Sequence, residues 1–298
     1  LNAFIRLVIN HRIKFALLCV WLVVLFIQQD TLRIISEYFA FFFLGITGAI
    51  FANTTGAGGG VVFVPFFNQL SMSTQSIVAT SFAIQCCGMT AGALTWFRHY
   101  KAVEIFNPDW KMLPKALLLT TIFSVTGIVL TQYLLSGFAL GLQDSLHIGF
   151  GVFSILLALA IYASIPLLNK TIFNNTLTRY DLIMLALVAL AGGIVTAWLS
   201  VGVGELVAVY LILRGFSITF AIALAVILSA FTVWSAIPYH IFISEAVYYQ
   251  ILLFAGAGAI IGGLVAKTIV MRFSIVKLKI FFATWVMIMG IAGLPLFS

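Results

Sequence analysis

The chain reads as an all-α polytopic membrane protein: two inverted-topology repeats with broken or re-entrant helices, preceded by an extra N-terminal span. Three observations predict this. The 298 residues are 63% hydrophobic and 8% charged, with mean hydropathy +1.20, whereas a soluble domain carries roughly 25% charged residues. So few charges cannot cover a soluble surface, and long apolar runs recur along the whole length. Basic residues gather in alternate loops, which fixes an orientation. Glycines interrupt apolar runs at two places that stand in matching order.

The first apolar run, 13–28, follows Arg6, Arg12 and Lys14 and ends at Gln28, Gln29 and Asp30 with no small-x-small cleavage signal. It is expected to be a short, uncleaved first span rather than a signal peptide. Further apolar segments lie at 34–53, 61–70, 77–97, 113–135, 146–168, 182–200, 205–213, 218–239, 246–266 and 280–297. Segments 61–70 and 205–213 are too short to cross at about 1.5 Å rise per residue and are expected to be half-helices or re-entrant pieces. Ser73 or Thr74 is suited to cap the helix that follows 61–70.

Arg98, Lys101, Lys111 and Lys115 flank one loop, Lys170 and Arg179 a second, and Lys267, Arg272, Lys277 and Lys279 a third, while the loops near 136–146 and 240–248 hold no Lys or Arg. Basic loops belong inside, which makes the N-terminus cytoplasmic and the other two loops external. Parity then requires 34–97 to run from outside to inside and 182–239 from inside to outside, each followed by a pair of plain spans. The expected organisation is an N-terminal span with flanks, 1–33; a first repeat, 34–168, broken at 54–60; a cytoplasmic linker, 169–180; and a second repeat, 181–298, broken at 200–206. Sliding the first half onto the second without gaps sets Gly56 on Gly202, Gly58 on Gly204, Ser71 on Ser217 and Ala79 on Ala225. Inverted repeats of this kind are the build of many secondary transporters.

The net charge of +7 reflects this loop distribution, with no basic helix or tail, so no nucleic-acid partner is expected. Cys19, Cys86 and Cys87 sit in apolar runs without metal or redox spacing. His99, His147 and His240 show no metal spacing and no Ser or Asp partner, which leaves them interfacial and non-catalytic. No metal, cofactor or catalytic residue is expected.

The chemistry lies at the glycines. A break inside a bilayer exposes amide and carbonyl groups that cost several kcal/mol each if unpaired. In "TTGAGGG", Thr54 and Thr55 offer hydroxyls and Gly56 to Gly60 can converge their N–H groups at the N-terminus of the restarting helix, a cup for an anion. Close helix packing is the alternative use of such glycines. No Gly-Lys-Ser/Thr follows, which excludes a phosphate-binding Walker loop. On the next helix Ser81, Gln85, Gly88 and Gly92 share one face, as do Ala225, Ser229, Thr232 and Ala236 on its counterpart; each face suits a substrate path or tight packing. In the second half "GVGEL" brings Glu205 to the break, where a carboxylate either carries a proton or caps the helix. Arg214 is expected at the surface or interface.

The pattern Gly45, Gly48, Gly56, Gly58, Gly59, Gly60 and Pro65, followed by Ala79–Ser81, resembles the sulfite exporter TauE/SafE family, and Gly202–Gly204 with the Ser217 turn fits a two-repeat build. The resemblance spans about residues 40 to 297. It implies export of sulfite or organosulfur anions such as sulfoacetate across the bacterial inner membrane. The second-half copy departs from it at Glu205 and Leu206. An anion leaving a negative cytoplasm moves with the field, at about 2.3 kcal/mol per charge per 100 mV, and no nucleotide-binding motif is present.

The expected function is therefore a secondary transporter of a small sulfur oxyanion, with lipid and the anion as its partners and a homodimer as the one assembly left open. Gly56, Gly58, Gly59, Gly60, Gly202 and Gly204 are expected to shape the cup. Thr55, Ser81 and Ser200 add hydroxyl contacts, with Glu205 as a candidate for proton coupling. An anion channel, an importer and a membrane-embedded enzyme are the competing classes.

Overall fold

The computed structural model describes residues 12–28, 30–70, 72–134, 146–166, 176–292 and 294. Arg6, Ser71, Lys170 and most of the 169–180 linker and of the 136–146 loop lie outside these, as do the side chains of Arg12, Lys14, His147 and Lys279. Twelve α-helices run through the described residues: α1 (Arg12–Ile27), α2 (Thr31–Tyr38), α3 (Ala40–Thr55), α4 (Gly60–Asn68), α5 (Thr74–His99), α6 (Leu113–Val129), α7 (Leu146–Ser164), α8 (Arg179–Leu199), α9 (Val203–Leu213), α10 (Ile218–Phe242), α11 (Tyr249–Arg272) and α12 (Ile275–Ala292). Single π-helical turns extend α5 and α6, at Tyr100–Glu104 and Leu130–Leu134. Five of the described helices are long and apolar enough to cross a membrane. This is a multi-pass α-helical membrane protein.

The helices stop where local chemistry stops them. Ser73 and Ser217 each stand in extended backbone and accept an N–H three residues on, from Ser76 and Phe220, so α5 and α10 start alike. Thr178 and Asp181 cap each other at the start of α8. The apolar stretch 34–53, expected as one element, is divided at Phe39 into α2 and α3. Between α1 and α2 the chain turns by 113° at Asp30, which has left-handed φ. The Trp21 indole N–H donates to the Leu253 carbonyl (2.7 Å), tying α1 to α11.

Lipid tails give helices no hydrophobic reason to associate, so close packing of small residues has to hold them together. Three glycines bring α3 and α11 into backbone contact: a Cβ on Gly45 would strike the Ala255 carbonyl, one on Gly258 that of Phe42, and one on Gly262 that of Ile46. Likewise α6 and α8 touch where a Cβ on Gly193 would strike the Ser124 carbonyl, and α7 and α12 meet at Gly151 and Gly290.

These partnerships form a pattern. If α3 to α7 are exchanged in order with α8 to α12, α3–α11 becomes α8–α6 and α5–α11 becomes α10–α6. By the same exchange α4–α12 becomes α9–α7, while α5–α10 and α7–α12 map onto themselves; all of these pairs are in contact. α5 and α10, which exchange with each other and are in contact, are the most enclosed of the described membrane-spanning helices. Phe82, Phe220, Trp96 and Trp110 are fully enclosed around them.

Candidate functional site

Both interruptions expected from the glycines are present, and they meet. α3 ends at Thr55, Gly56 turns left-handed at φ 79, and α4 begins at Gly60. α8 ends at Leu199, Ser200 turns left-handed at φ 58, Gly202 follows at φ 143, and α9 begins at Val203. Like caps stand two residues off the gapless slide: the left-handed turn falls at Gly56 in one break and at Ser200 in the other, and the helices that follow start at Ser73 and Ser217. The breaks cross at backbone distance. A Cβ on Gly60 would run into the Ser200 carbonyl, and one on Gly204 into the Gly56 carbonyl. Close approach thus accounts for these two glycines, while the positive φ at Gly56 and Gly202 accounts for theirs.

Amides of each break find partners both locally and across the crossing. Thr196 Oγ1 accepts the Val203 N–H (2.9 Å) and Thr55 Oγ1 the Ala57 N–H (3.1 Å). The Gly59 N–H donates to Gln85 Oε1 (2.8 Å), and Gln85 Nε2 lies within bonding distance of Ser200 Oγ (2.7 Å), the Ser200 carbonyl (3.0 Å) and Ser81 Oγ (3.1 Å). Ser200 Oγ donates to Ser81 Oγ (3.0 Å). Ser200 takes a left-handed conformation that ordinarily favours glycine, and the hydroxyl bonds to Gln85 and Ser81 hold it there.

Glu205 joins the two breaks. Its Oε1 accepts the Gly58 N–H (2.7 Å), from the first break, and its Oε2 accepts the Gly202 N–H (2.9 Å), from the second. Of the two roles open to this carboxylate, capping is the one its contacts display, and the cap spans 147 residues of sequence. Ser81, Gln85, Ser200 and Glu205 are all buried, at 0%, 2%, 0% and 2% exposure, as are the glycines around them. Paired polar groups in so dry a place interact strongly.

Gly56, Gly58, Gly59, Gly60, Ser81, Ser200, Gly202, Gly204 and Glu205 therefore gather at one point. Thr55 does not: its hydroxyl is committed to Phe51 and Ala57, so it caps its own helix. Gln85 and Thr196 were not among the expected contacts. Gln85 stands one helical turn from Ser81 on the face already noted; that face splits, with Gly88 packed against Ala49 and Ala259, and Gly92 against Asn53. On α10, Ala225 lies against Gly56, Ser229 against Gly204, and Thr232 shares a hydrogen bond with Ser124 (2.9 Å).

Arg214 is only partly a surface residue. Its Nε donates to Asp181 Oδ1 (2.6 Å), an oxygen that also accepts the Tyr210 hydroxyl (2.9 Å), and this clamps the end of α9 to the start of α8. At the opposite end of α10, His240 is buried rather than interfacial: its ring stacks on Phe82 and its Nε2 lies 3.1 Å from Gln132 Nε2. No group of three or more His, Cys, Asp or Glu is clustered among the described residues.

What the arrangement can do is present amide hydrogens from two broken helices to one oxyanion. The family model described as sulfite exporter TauE/SafE matches residues 41–293, a stretch that contains both breaks. Neither the curated proteins nor the solved structures contain a match. With five-sixths of its length and the whole crossing inside the matched region, the chain belongs to the sulfite exporter TauE/SafE family.

Proposed function

We propose that the protein is a secondary transporter that exports a small sulfur-containing oxyanion across the bacterial inner membrane. Sulfite, sulfoacetate, related organosulfonates and thiosulfate form the substrate class. The observation that carries this reading is the Glu205 carboxylate bonded to the Gly58 and Gly202 amides: the crossing already suits an oxyanion with oxygens spaced like those of a carboxylate. Gly56, Gly58, Gly59, Gly60, Gly202 and Gly204 shape the cup, and Ser81 and Ser200 supply hydroxyls. Gln85 orients both hydroxyls.

Alternating access follows from two inverted halves, 34–168 and 181–298, rocking about the crossing, with the N-terminus and the 169–180 linker cytoplasmic. The recurring helix partnerships and the paired Ser73 and Ser217 caps support that organisation. Each broken helix would then move as part of its own half, with the substrate released on whichever side opens.

The test is reconstitution into liposomes with a panel of radiolabelled anions. Saturable flux of sulfite, thiosulfate or sulfoacetate, accelerated by the same anion on the far side, is expected. A panel in which every sulfur anion fails while a cation moves contradicts it, and ohmic single-channel currents replace the carrier with a pore. An imposed pH gradient that drives flux in the wild type but not in Glu205→Gln assigns a coupled proton to Glu205; an equal response in both removes it.

A further inference from the structure

Glu205 does more than cap a helix. An N3 carboxylate that capped only its own helix would bond Gly202, in the same break. Here the second oxygen takes an amide of the other break, so one carboxylate satisfies one donor from each side of the crossing. Those two N–H groups are the ones any bound oxyanion would need. Each has one hydrogen to give, and two negative groups at hydrogen-bonding distance repel each other strongly in a dry site. The carboxylate and a substrate anion cannot hold the crossing together.

A second feature marks the same place. Ser229, on α10, is 2% exposed, and its hydroxyl has no hydrogen-bond partner. It is directed at the start of α9: a Cβ on Gly204 would lie 2.5 Å from Ser229 Oγ. A buried hydroxyl left unpaired costs free energy unless a guest completes it.

We propose that Glu205 is a tethered occupant of the oxyanion site, a built-in competitor that fills the crossing until substrate displaces it. Ser229 is then the hydroxyl that substrate finds once the carboxylate has swung away. The proposal rests on reading the crossing as an anion site. It gives the transporter a resting state in which the Gly58 and Gly202 amides stay paired between cycles. It also sets a threshold, because a solute must compete with a carboxylate that is always at hand. Sulfur oxyanions, with two or three charged oxygens, outbid a single carboxylate; halides, which offer no paired oxygens, do not.

Equilibrium dialysis of the full-length protein in detergent, with radiolabelled sulfite, thiosulfate and sulfoacetate, tests it. Glu205→Gln keeps the shape but turns an NH2 toward one of the two amides and removes the charge. Glu205→Ala removes the occupant altogether, and circular dichroism and size-exclusion profiles show whether each variant is folded. If the competent state is about one molecule in ten, the folded variants bind about tenfold tighter than the wild type. Equal affinity in wild type and Glu205→Gln overturns the competitor while leaving the site. Weaker binding by a folded Glu205→Gln overturns it too, by making the carboxylate a recruiter. If no anion binds the wild type or either variant, the anion site itself fails and the competitor with it.

Discussion

Replacing Gly204 by alanine places a methyl group against two things at once: the Gly56 carbonyl and, at 2.5 Å, Ser229 Oγ. Ser229 has rotamers to spare, but the Gly56 carbonyl belongs to a buried break whose backbone is held by its own caps, so the two breaks must separate. Forcing one methylene into a packed interior costs about 1–3 kcal/mol, and drawing Glu205 off the Gly58 amide leaves a buried polar group unpaired at a further ~1–3 kcal/mol. Alanine returns about 1 kcal/mol of helix propensity, for a net loss of about 1–5 kcal/mol, centred near 3. At ~2–4 °C per kcal/mol the apparent Tm in detergent falls by roughly 6–12 °C at the centre of that range. Gly58→Ala is the control. Gly58 has no positive φ, and its added Cβ meets the end of a flexible side chain, Gln85 Oε1 at 2.9 Å, before any backbone atom. It should cost about 1–2 kcal/mol, less than Gly204→Ala because Gln85 has only to shift rather than two backbones to part, yet still impair flux, because that side chain orders Ser81 and Ser200. Thermal unfolding and liposome flux on both variants decide the matter. Wild-type Tm in Gly204→Ala, or a larger loss in Gly58→Ala, would refute a backbone crossing.

Other residues give sharper single tests. Gln85→Leu strips the Gly59 N–H and the Ser200 carbonyl of their partner, so it should lose about 1–3 kcal/mol of stability and most of the flux, read by the same two assays. Asp181→Asn removes the charge that holds Arg214 and Tyr210; because the Arg214 side chain is 38% exposed, the cost is discounted to about 1–2 kcal/mol, below the range for a fully buried pair, and thermal unfolding should show it. Gly193→Leu should wedge α8 from α6 and prevent accumulation of folded protein. Gly149→Ala, where an added Cβ finds only Leu199 Cδ2 at 4.0 Å, should be neutral or stabilising by up to about 1 kcal/mol; monodisperse yield on size exclusion compares the two.

Much of the fold is legible because bilayer physics writes it in large letters. Apolar run length marks the spans, and segments 61–70 and 205–213, too short to cross, are half-helices at Gly60–Asn68 and Val203–Leu213. Glycine clusters mark the breaks because little else tolerates a bend where water is absent. The register between the halves was harder. Matching glycine to glycine set Gly56 on Gly202, but the backbone turn at Gly56 recurs at Ser200, where side-chain bonds do the work that a missing Cβ does in the first half. No local pattern announces that substitution.

Long-range partners were invisible for the same reason. Gln85 reaches Ser200 across 115 residues, and only its helical spacing from Ser81 hints that it shares the site. Glu205 was conspicuous as a charge in an apolar run, but the amide it grips across the crossing depends on how the breaks meet. Arg214, read as a surface residue, keeps part of its side chain exposed and still pins a buried aspartate that nothing nearby in sequence discloses. Thr55 shows the reverse: a hydroxyl beside the glycines, it turns back on its own helix.

The most direct measurement is a glycine-selective 15N spectrum of the protein in detergent micelles, with the Gly58 and Gly202 amides assigned through single alanine replacements. Amides bonded to a carboxylate should resonate well downfield. If the two breaks grip an oxyanion, Glu205→Gln and added sulfite will each move those same two signals. Sulfite that leaves both in place, or shifts glycines elsewhere in the chain, would contradict a shared oxyanion site at the crossing.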